Sequence, residues 1–137
     1  MPGPKTILVV DDHDAHRKLL ELVLGAHRYD VVSMRDGFEA LTYLQAHTPD
    51  AIILDVHMPQ MSGFDVGRRA RRIARLRRVP ILIMTASADA TIAAEAEAIG
   101  ASRVLHKPIA GTDLRKTLRD LIGQASGVSA SPDALGA

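Results

Sequence analysis

Five short runs of apolar and β-branched residues, each followed by a segment with helical spacing, constrain the fold of this chain more than any other feature. The runs are Ile7–Val10, Val31–Met34, Ala51–Leu54, Ile81–Met84 and Ser102–Leu105. The first, third and fourth are continuously apolar, which is typical of strands covered on both faces of a parallel sheet. Because strands and helices alternate strictly, we predict parallel strands joined by right-handed crossovers, in an open α/β sheet with helices on both sides.

The segments that follow these runs predict five helices. The first should begin with Asp14 as its N-cap and end near Gly25, with Leu19, Leu20, Val23 and Leu24 on its apolar face. The apolar faces of the other four contain Leu41 and Leu44; Val66, Ala70 and Ile73; Ile92, Ala96 and Ile99; and Leu114, Leu118, Leu121 and Ile122. Gly100 and Gly123 are predicted to end the fourth and fifth helices.

The length and composition fit one globular domain, since 47% of the 137 residues are hydrophobic. We assign residues 1–124 to this domain and residues 125–137 to a flexible C-terminal tail or linker stub. Cysteine is absent, which excludes disulfides, thiolate metal sites and cysteine nucleophiles. No apolar run approaches the roughly 20 residues that span a bilayer, so we expect a cytoplasmic protein that does not insert into membranes.

Positive charge is concentrated in residues 68–78, which contain seven arginines and no acid. The rest of the chain keeps 10 basic residues against 16 acids, a net charge of −6. We interpret the arginines as a solvated helix face, although such a segment can also meet an acidic partner. Direct nucleic-acid binding through Arg68 to Arg78 is the weaker hypothesis, because no recognition motif accompanies the charge.

Acidic, hydroxyl and basic side chains lie directly after four of the five runs. The residues at these strand ends are Asp11 and Asp12; Asp55; Thr85 and Ala86; and His106, Lys107 and Pro108. In an open parallel sheet the functional crevice lies at the carboxyl ends of the strands, so these residues should meet there. Three neighbouring carboxylates repel one another and need a proton or a cation, and Mg²⁺ accepts carboxylate, water and phosphate oxygens. The pattern therefore predicts phosphoryl chemistry assisted by a metal.

Asp55 is the candidate phosphoryl acceptor, because it stands alone after a central apolar strand while Asp11 and Asp12 can hold a metal. A carboxylate can accept a phosphoryl group as an aspartyl phosphate. Lys107 offers a positive charge and Thr85 a hydroxyl donor to phosphoryl oxygens. We expect the strand to deliver Asp55 to the open rim of the sheet rather than to bury its charge.

The motifs ILVVDDHD, ILDVHMPQMSG, ILIMTASA and VLHKPI closely resemble, in order and spacing, those of response-regulator receiver domains, in particular CheY-like stand-alone receivers. The resemblance covers about residues 5–124. It implies a doubly wound (βα)5 fold, a flavodoxin-like three-layer sandwich whose five-stranded parallel sheet has the order 2-1-3-4-5.

The resemblance also implies roles for the residues at the strand ends. Asp55 would accept a phosphoryl group from phosphohistidine on a sensor histidine kinase or a histidine phosphotransfer protein. Asp11 and Asp12 would bind Mg²⁺, or alternatively Mn²⁺, with Asp12 and Asp55 as side-chain ligands and the main-chain carbonyl of His57 as a third.

The same resemblance implies which residues would respond when Asp55 is phosphorylated. Thr85 would move to bond the phosphoryl group and Lys107 would pair with it. The peptide bond between Lys107 and Pro108 would be cis, and Gly63 matches the family's turn into the third helix.

This sequence departs from the family at Val104, where receivers often have an aromatic residue that reports phosphorylation. We hypothesise that the output face shifts instead through backbone movement or another residue. His57, Ala86, Ser87 and Val104 are the positions expected to modulate the pocket. The other histidines, His13, His16, His27, His47 and His106, lack metal-ligand spacing and are interpreted as surface or strand-end residues.

We therefore expect a receiver that catalyses only its own phosphoryl transfer and autodephosphorylation, rather than an enzyme with a separate substrate. It would act by docking to a downstream protein, as a monomer or weak homodimer. One alternative is a receiver-like interaction module that is not phosphorylated. Another is an aspartate-nucleophile phosphatase, although His57 occupies the place of its second aspartate. A third, a flavin mononucleotide binder, conflicts with the acids after the first strand, which would repel its phosphate.

Overall fold

The structure of the chain, a computed structural model, describes residues 3–125, which form one five-stranded sheet flanked by five helices. The strands are β1 (Thr6–Val10), β2 (Asp30–Met34), β3 (Ala51–Asp55), β4 (Ile81–Thr85) and β5 (Arg103–His106). The helices are α1 (Asp14–Ala26), α2 (Gly37–Ala46), α3 (Gly63–Arg71), α4 (Ala90–Ala98) and α5 (Gly111–Ala125), with a 3₁₀ turn at Ala74–Leu76. All neighbouring strands pair in parallel in the order β2-β1-β3-β4-β5. The predicted fold class and strand order are confirmed.

Alternate residues of the central strands supply two separate cores, one on each face of the sheet. Leu8, Ile52 and Ile83 pack with residues of α2, α3 and α4. Ile53 and Met84 pack with residues of α1 and α5 on the opposite face. Successive side chains of a strand point to opposite faces, so a continuously apolar strand can serve both cores. Every residue of β3 and β4 is buried, as the apolar runs predict.

Three predicted helix features are wrong at the level of individual residues. The N-cap of α1 is His13, and Asp14 lies in the first turn, where its carboxylate pairs with Arg17 at 2.5 Å. Leu19 belongs to the predicted apolar face of α1, but it is 53% exposed. The fifth helix continues through Gly123, because the preceding turn is held by buried Leu121 and Ile122.

The third helix is also shorter than its apolar spacing suggests. It ends at Arg71, and Ile73 lies between the helix and the following 3₁₀ turn. Gly100 has a φ of 68° directly after α4, which confirms the predicted helix end there. Of the predicted tail, residues 125–137, only Ala125 is described, at the end of α5, and the remainder lies outside the described residues.

The loop between β3 and α3 brings the chain back against the end of its own strand. The Gly63 N–H donates to the carbonyl of Val56 at 3.1 Å. A Cβ at position 63 would lie 2.3 Å from the main-chain oxygen of Asp55, so this approach requires glycine. Ser62 and Asp65 then form a reciprocal capping box that starts α3. This loop fixes the backbone at the end of β3.

Within residues 3–125, no helix has both the length and the apolar character needed to cross a membrane.

Candidate functional site

The carboxyl edge of the sheet brings together side chains from the ends of β1, β3, β4 and β5. The parallel register places Asp55 opposite Met84 and Thr85 opposite His106, so the strand ends are level with one another. The Lys107 Nζ lies 3.3 Å from Asp55 Oδ1 and 3.7 Å from Asp11 Oδ2. The predicted convergence of acids and a lysine at this edge is therefore present in the structure.

Asp55 is buried, contrary to the expectation of an open rim. It is 2% exposed, and Asp11 and Thr85 are fully buried. The loops after β1 and β5 place His13 and Lys107 beside the carboxylate and cover the strand end. The charge of Asp55 is thus held in a largely enclosed site.

The two buried aspartates have pKa values shifted in opposite directions. Burial raises the pKa of Asp55, and the nearby Asp11 and Asp12 charges raise it further, while Lys107 acts against the shift. Burial also raises the pKa of Asp11, but hydrogen bonds from His16 and from the main-chain N–H of His13, together with Lys107, outweigh it and leave that pKa lowered. Asp11 therefore keeps its charge readily, and Asp55 is the acid whose charge is poorly compensated.

The residues present fit a divalent cation. Ligand atoms of Asp11, Asp12, His13 and Asp55 all lie within 4.8 Å of one another. Over the part of the chain that the structure describes, Asp12 Oδ1 and Asp55 Oδ2 are buried without a hydrogen-bond partner. Such unpartnered buried oxygens are costly unless a cation or a proton satisfies them. The carboxylate-rich donor set suits Mg²⁺ or Mn²⁺.

His13 and His16 belong to this site, although the sequence interpretation placed them at the surface without a metal or site role. The imidazole of His13 lies 3.3 Å from Asp12 Oδ1, and His16 Nδ1 contacts Asp11 Oδ2. The spacing of these two histidines resembles no metal motif. The one sequence signal that places His13 at the site is its position directly after Asp11 and Asp12. His57, whose carbonyl the resemblance assigns to the metal, has an exposed side chain two residues after Asp55.

The remaining predicted site residues flank this cluster. Thr85 Oγ1 accepts a 3.0 Å hydrogen bond from the main-chain N–H of Ser87. Ala86 is exposed between them. Val104 is half-buried, lies opposite Ile83 in the sheet and packs against the core on the α4 side. The peptide bond between Lys107 and Pro108 is cis.

The arginine-rich segment is only in part the solvated face that the sequence suggests. Arg71 is partly buried and donates to main-chain carbonyls of Leu76, Arg77, Val79, Ile99 and Gly100. Arg75 donates to the carbonyls of His47 and Leu44 and to the Thr48 hydroxyl. These two guanidinium groups tie neighbouring segments together, which reduces the charge available to an external partner.

Comparison with known proteins identifies the class to which this fold and site belong. The profile of the response regulator receiver domain family matches residues 7–119. The chain belongs to this family, and it is a receiver domain of the two-component signalling type whose aspartate cluster fits the phosphoacceptor site. Receiver domains as a class interact with histidine kinases and with downstream targets.

Individual relatives are similar over nearly their whole length. The polar-differentiation response regulator DivK of Brucella anthropi is 29% identical over 122 residues, which cover 89% of this chain and 99% of DivK. The chemotaxis protein CheY4 of Vibrio cholerae is 34% identical with a TM-score of 0.83, covering 87% of this chain and 99% of CheY4. The receiver domain of the sensor histidine kinase PA1611 of Pseudomonas aeruginosa has a magnesium ion coordinated in its active-site cleft. It is 29% identical with a TM-score of 0.82, covering 88% of this chain and 99% of its own.

Proposed function

We propose that Asp55 accepts a phosphoryl group from phosphohistidine in a reaction that depends on Mg²⁺, and that the phosphorylated protein signals by binding a downstream protein. The observation that carries this proposal is the different surroundings of the two Asp55 oxygens. Oδ1 lies 3.3 Å from the Lys107 ammonium, and Oδ2 is buried beside the other acids without a hydrogen-bond partner among residues 3–125. One oxygen can thus react while the other binds a cation.

In this proposal Asp55 Oδ1 attacks the phosphorus of the donor. The new P–O bond forms as the P–N bond of phosphohistidine breaks, and the bonding electrons of the P–N bond return to the imidazole nitrogen. Lys107 neutralises charge on the transferred oxygens. A divalent cation held by Asp11, Asp12 and Asp55 would supply further neutralising charge when bound.

Thr85 would link the phosphoryl group to the surface. Its hydroxyl oxygen now accepts a hydrogen bond from the Ser87 N–H, and turning the hydroxyl toward Asp55 would break that bond. The loop between β4 and α4 would then be released. This route ends in movement of the loop backbone and needs no aromatic residue at Val104, in line with the hypothesis made from the sequence.

The partners follow from this chemistry. A sensor histidine kinase or a histidine phosphotransfer protein would supply the phosphoryl group, and a protein that distinguishes the two states would receive the signal. The protein itself would turn over no separate substrate and would catalyse only its own phosphorylation and dephosphorylation. His57, the residue two positions after Asp55, is not an acid and so does not provide the second carboxylate of an aspartate phosphatase.

Intact-mass measurement tests the proposal. The full chain is incubated with Mg²⁺ and either acetyl phosphate or phosphoramidate, the second of which carries a P–N bond like that of phosphohistidine. We expect one added phosphoryl mass on the wild type, none on Asp55→Asn, and wild-type behaviour for Asp113→Asn, which alters an exposed acid on α5. An unmodified wild type with both donors, or equal modification of Asp55→Asn, would overturn the assignment. Omitting Mg²⁺ or adding EDTA should abolish the modification.

A further inference from the structure

The imidazole of His13 lies directly against the carboxylate cluster. Its Nδ1 is 3.3 Å from Asp12 Oδ1, 3.5 Å from Asp11 Oδ1 and 4.0 Å from Asp55 Oδ2. The His13 side chain is 68% exposed, so it forms the solvent side of the cluster. Its main-chain N–H donates to Asp11 Oδ1 at 2.9 Å, which holds the residue over the site.

The carboxylate oxygens that face His13 are not the ones that Lys107 and His16 contact. Lys107 contacts Asp55 Oδ1, and His16 and Lys107 contact Asp11 Oδ2. The oxygens on the His13 side are Oδ1 of Asp11, Oδ1 of Asp12 and Oδ2 of Asp55. The last two have no hydrogen-bond partner within the described residues, and Asp55 is almost completely buried. A buried, unpartnered oxygen directed into this group indicates a place for a cation.

The spacing of these atoms suits ligands of a single metal ion. Ligands bound at about 2.0–2.2 Å to one ion are roughly 3–4 Å apart, and the distances from His13 Nδ1 are 3.3, 3.5 and 4.0 Å. Imidazole nitrogen is a preferred ligand of Zn²⁺ and Ni²⁺, whereas Mg²⁺ prefers oxygen. A nitrogen ligand at this position would therefore favour ions such as Zn²⁺ and Ni²⁺.

The local structure of α1 leaves the imidazole free for this role. His13 occupies the N-cap position, yet its side chain makes no capping hydrogen bond. Serine, threonine, asparagine and aspartate are the residues that usually cap this position. The side chain is therefore not required to start the helix.

We propose that His13 Nδ1 is a ligand of the metal site, so that the site binds imidazole-preferring divalent transition ions, represented by Ni²⁺ and Zn²⁺, more tightly than its carboxylates alone would. This inference rests on the proposed function in that it shares Asp12 and Asp55 with the Mg²⁺ site. It adds a nitrogen ligand and a second class of ion to that site.

Calorimetric titration of the tag-free full chain with NiCl₂, ZnCl₂ and MgCl₂ tests the inference. For His13→Ala we expect Ni²⁺ and Zn²⁺ affinity to fall by roughly 10-fold or more, with Mg²⁺ affinity changed by less than about threefold because Mg²⁺ prefers oxygen ligands. His27→Ala, at the other end of α1, is the matched histidine control and should titrate like the wild type. In ¹⁵N spectra of the histidine rings, Zn²⁺ should shift the Nδ1 resonance of His13. Ni²⁺ affinity that is unchanged or increased in His13→Ala, or an unshifted Nδ1 resonance, would overturn the inference, because the imidazole would then lie beside the acids without binding the ion.

The outcomes separate this inference from the proposed function. A phosphoryl mass gain on the wild type together with unchanged Ni²⁺ affinity in His13→Ala would refute the nitrogen ligand and leave the phosphoacceptor. A loss of Ni²⁺ affinity in His13→Ala without any mass gain on Asp55 would support the ligand and refute the phosphoacceptor. Circular dichroism of each variant confirms that the fold is retained.

Discussion

The ammonium of Lys107 lies 3.3 Å from Oδ1 of Asp55 and places a positive charge beside this buried carboxylate. The same ammonium is 3.7 Å from Asp11 Oδ2, so one cation faces two acids. The two residues come from the ends of different strands, β5 and β3, and meet because the parallel sheet aligns its carboxyl edge. Without metal, Lys107 compensates the cluster only partly, and the pKa of Asp55 stays raised through burial.

Replacing Lys107 by methionine should destabilise the metal-free protein, because the buried Asp55 then loses the ammonium that lies 3.3 Å from its Oδ1. We expect the free energy of unfolding in EDTA to fall by about 1–3 kcal/mol, as measured by urea denaturation. In an Asp55→Asn background the same change should cost less, since only the Asp11 carboxylate then loses the ammonium. Lys116→Met, on the exposed side of α5, is the control. An equal loss in both backgrounds would show that the pair is not coupled.

Asp55→Asn should stabilise the metal-free protein, increasingly so as the pH rises. The raised pKa means that the native state holds this proton at pH values where the unfolded state, with an ordinary value of 3.8, has lost it. The native state then binds more protons than the unfolded state. Wild-type stability therefore falls as the pH rises from 3.8 through the raised pKa of Asp55 in the native state. We expect Asp55→Asn to lack this fall in stability. At pH values above the native pKa of Asp55, the variant should be more stable than the wild type by about 1–3 kcal/mol.

Thermal unfolding in EDTA across the acidic to neutral range measures this effect. Asp120→Asn, which changes an exposed acid on α5, should follow the wild-type profile. Stability curves of wild type and Asp55→Asn that run parallel across the whole range would contradict the prediction.

The hydroxyl of Thr85 should determine whether phosphorylation reaches the loop before α4. Thr85→Ala removes the oxygen that accepts from the Ser87 N–H, whereas Thr85→Ser keeps it. We expect acetyl phosphate with Mg²⁺ to shift the amide resonances of Ser87 and of α4 similarly in the wild type and Thr85→Ser, and markedly less in Thr85→Ala. Equal shifts in all three proteins would place the switch elsewhere.

The sheet and the convergence of its strand ends could be predicted from sequence because both follow from the apolar runs. The run Ala51–Leu54 sets where β3 ends and therefore where Asp55 lies along the sheet. Alternation with helices then requires parallel strands, which align Asp55 with the ends of β1, β4 and β5. The end of each apolar run thus determines where the last residue of that strand lies along the sheet.

Burial and side-chain contacts at the site could not be predicted in the same way. Asp55 is enclosed by His13 and Lys107, which lie on loops whose conformations have no periodic signal. Arg71 lies in the same arginine-rich stretch as its exposed neighbours. Only the folded chain shows that its guanidinium donates to carbonyls 28 and 29 residues away. These features depend on how separate segments pack together, which local sequence spacing does not encode.

Gly63→Ala should disturb both stability and metal binding, because its new Cβ would lie 2.3 Å from the Asp55 carbonyl oxygen. Main-chain atoms at the end of β3 would have to move, and we expect a loss of about 1–3 kcal/mol together with weaker Mg²⁺ binding by calorimetry. Gly25→Ala, in α1, is the control, since a Cβ at that position would meet nothing within 4 Å. That variant should stay within about 1 kcal/mol of the wild type because alanine favours the helix. A neutral Gly63→Ala would contradict the close approach.

Arg71→Met should be one of the most destabilising changes of a charged residue outside the site. The guanidinium donates at 2.7–3.0 Å to carbonyls of two segments, the stretch after α3 and the end of α4. The variant removes the guanidinium that links five main-chain carbonyls, and among the partly buried ones those of Val79 and Ile99 lose this donor. We expect a loss of roughly 2–4 kcal/mol in the free energy of unfolding. Arg72→Met, which changes an exposed neighbour, should cost less than about 0.5 kcal/mol. Urea denaturation distinguishes the two, and similar losses for both variants would show that Arg71 contributes only its charge.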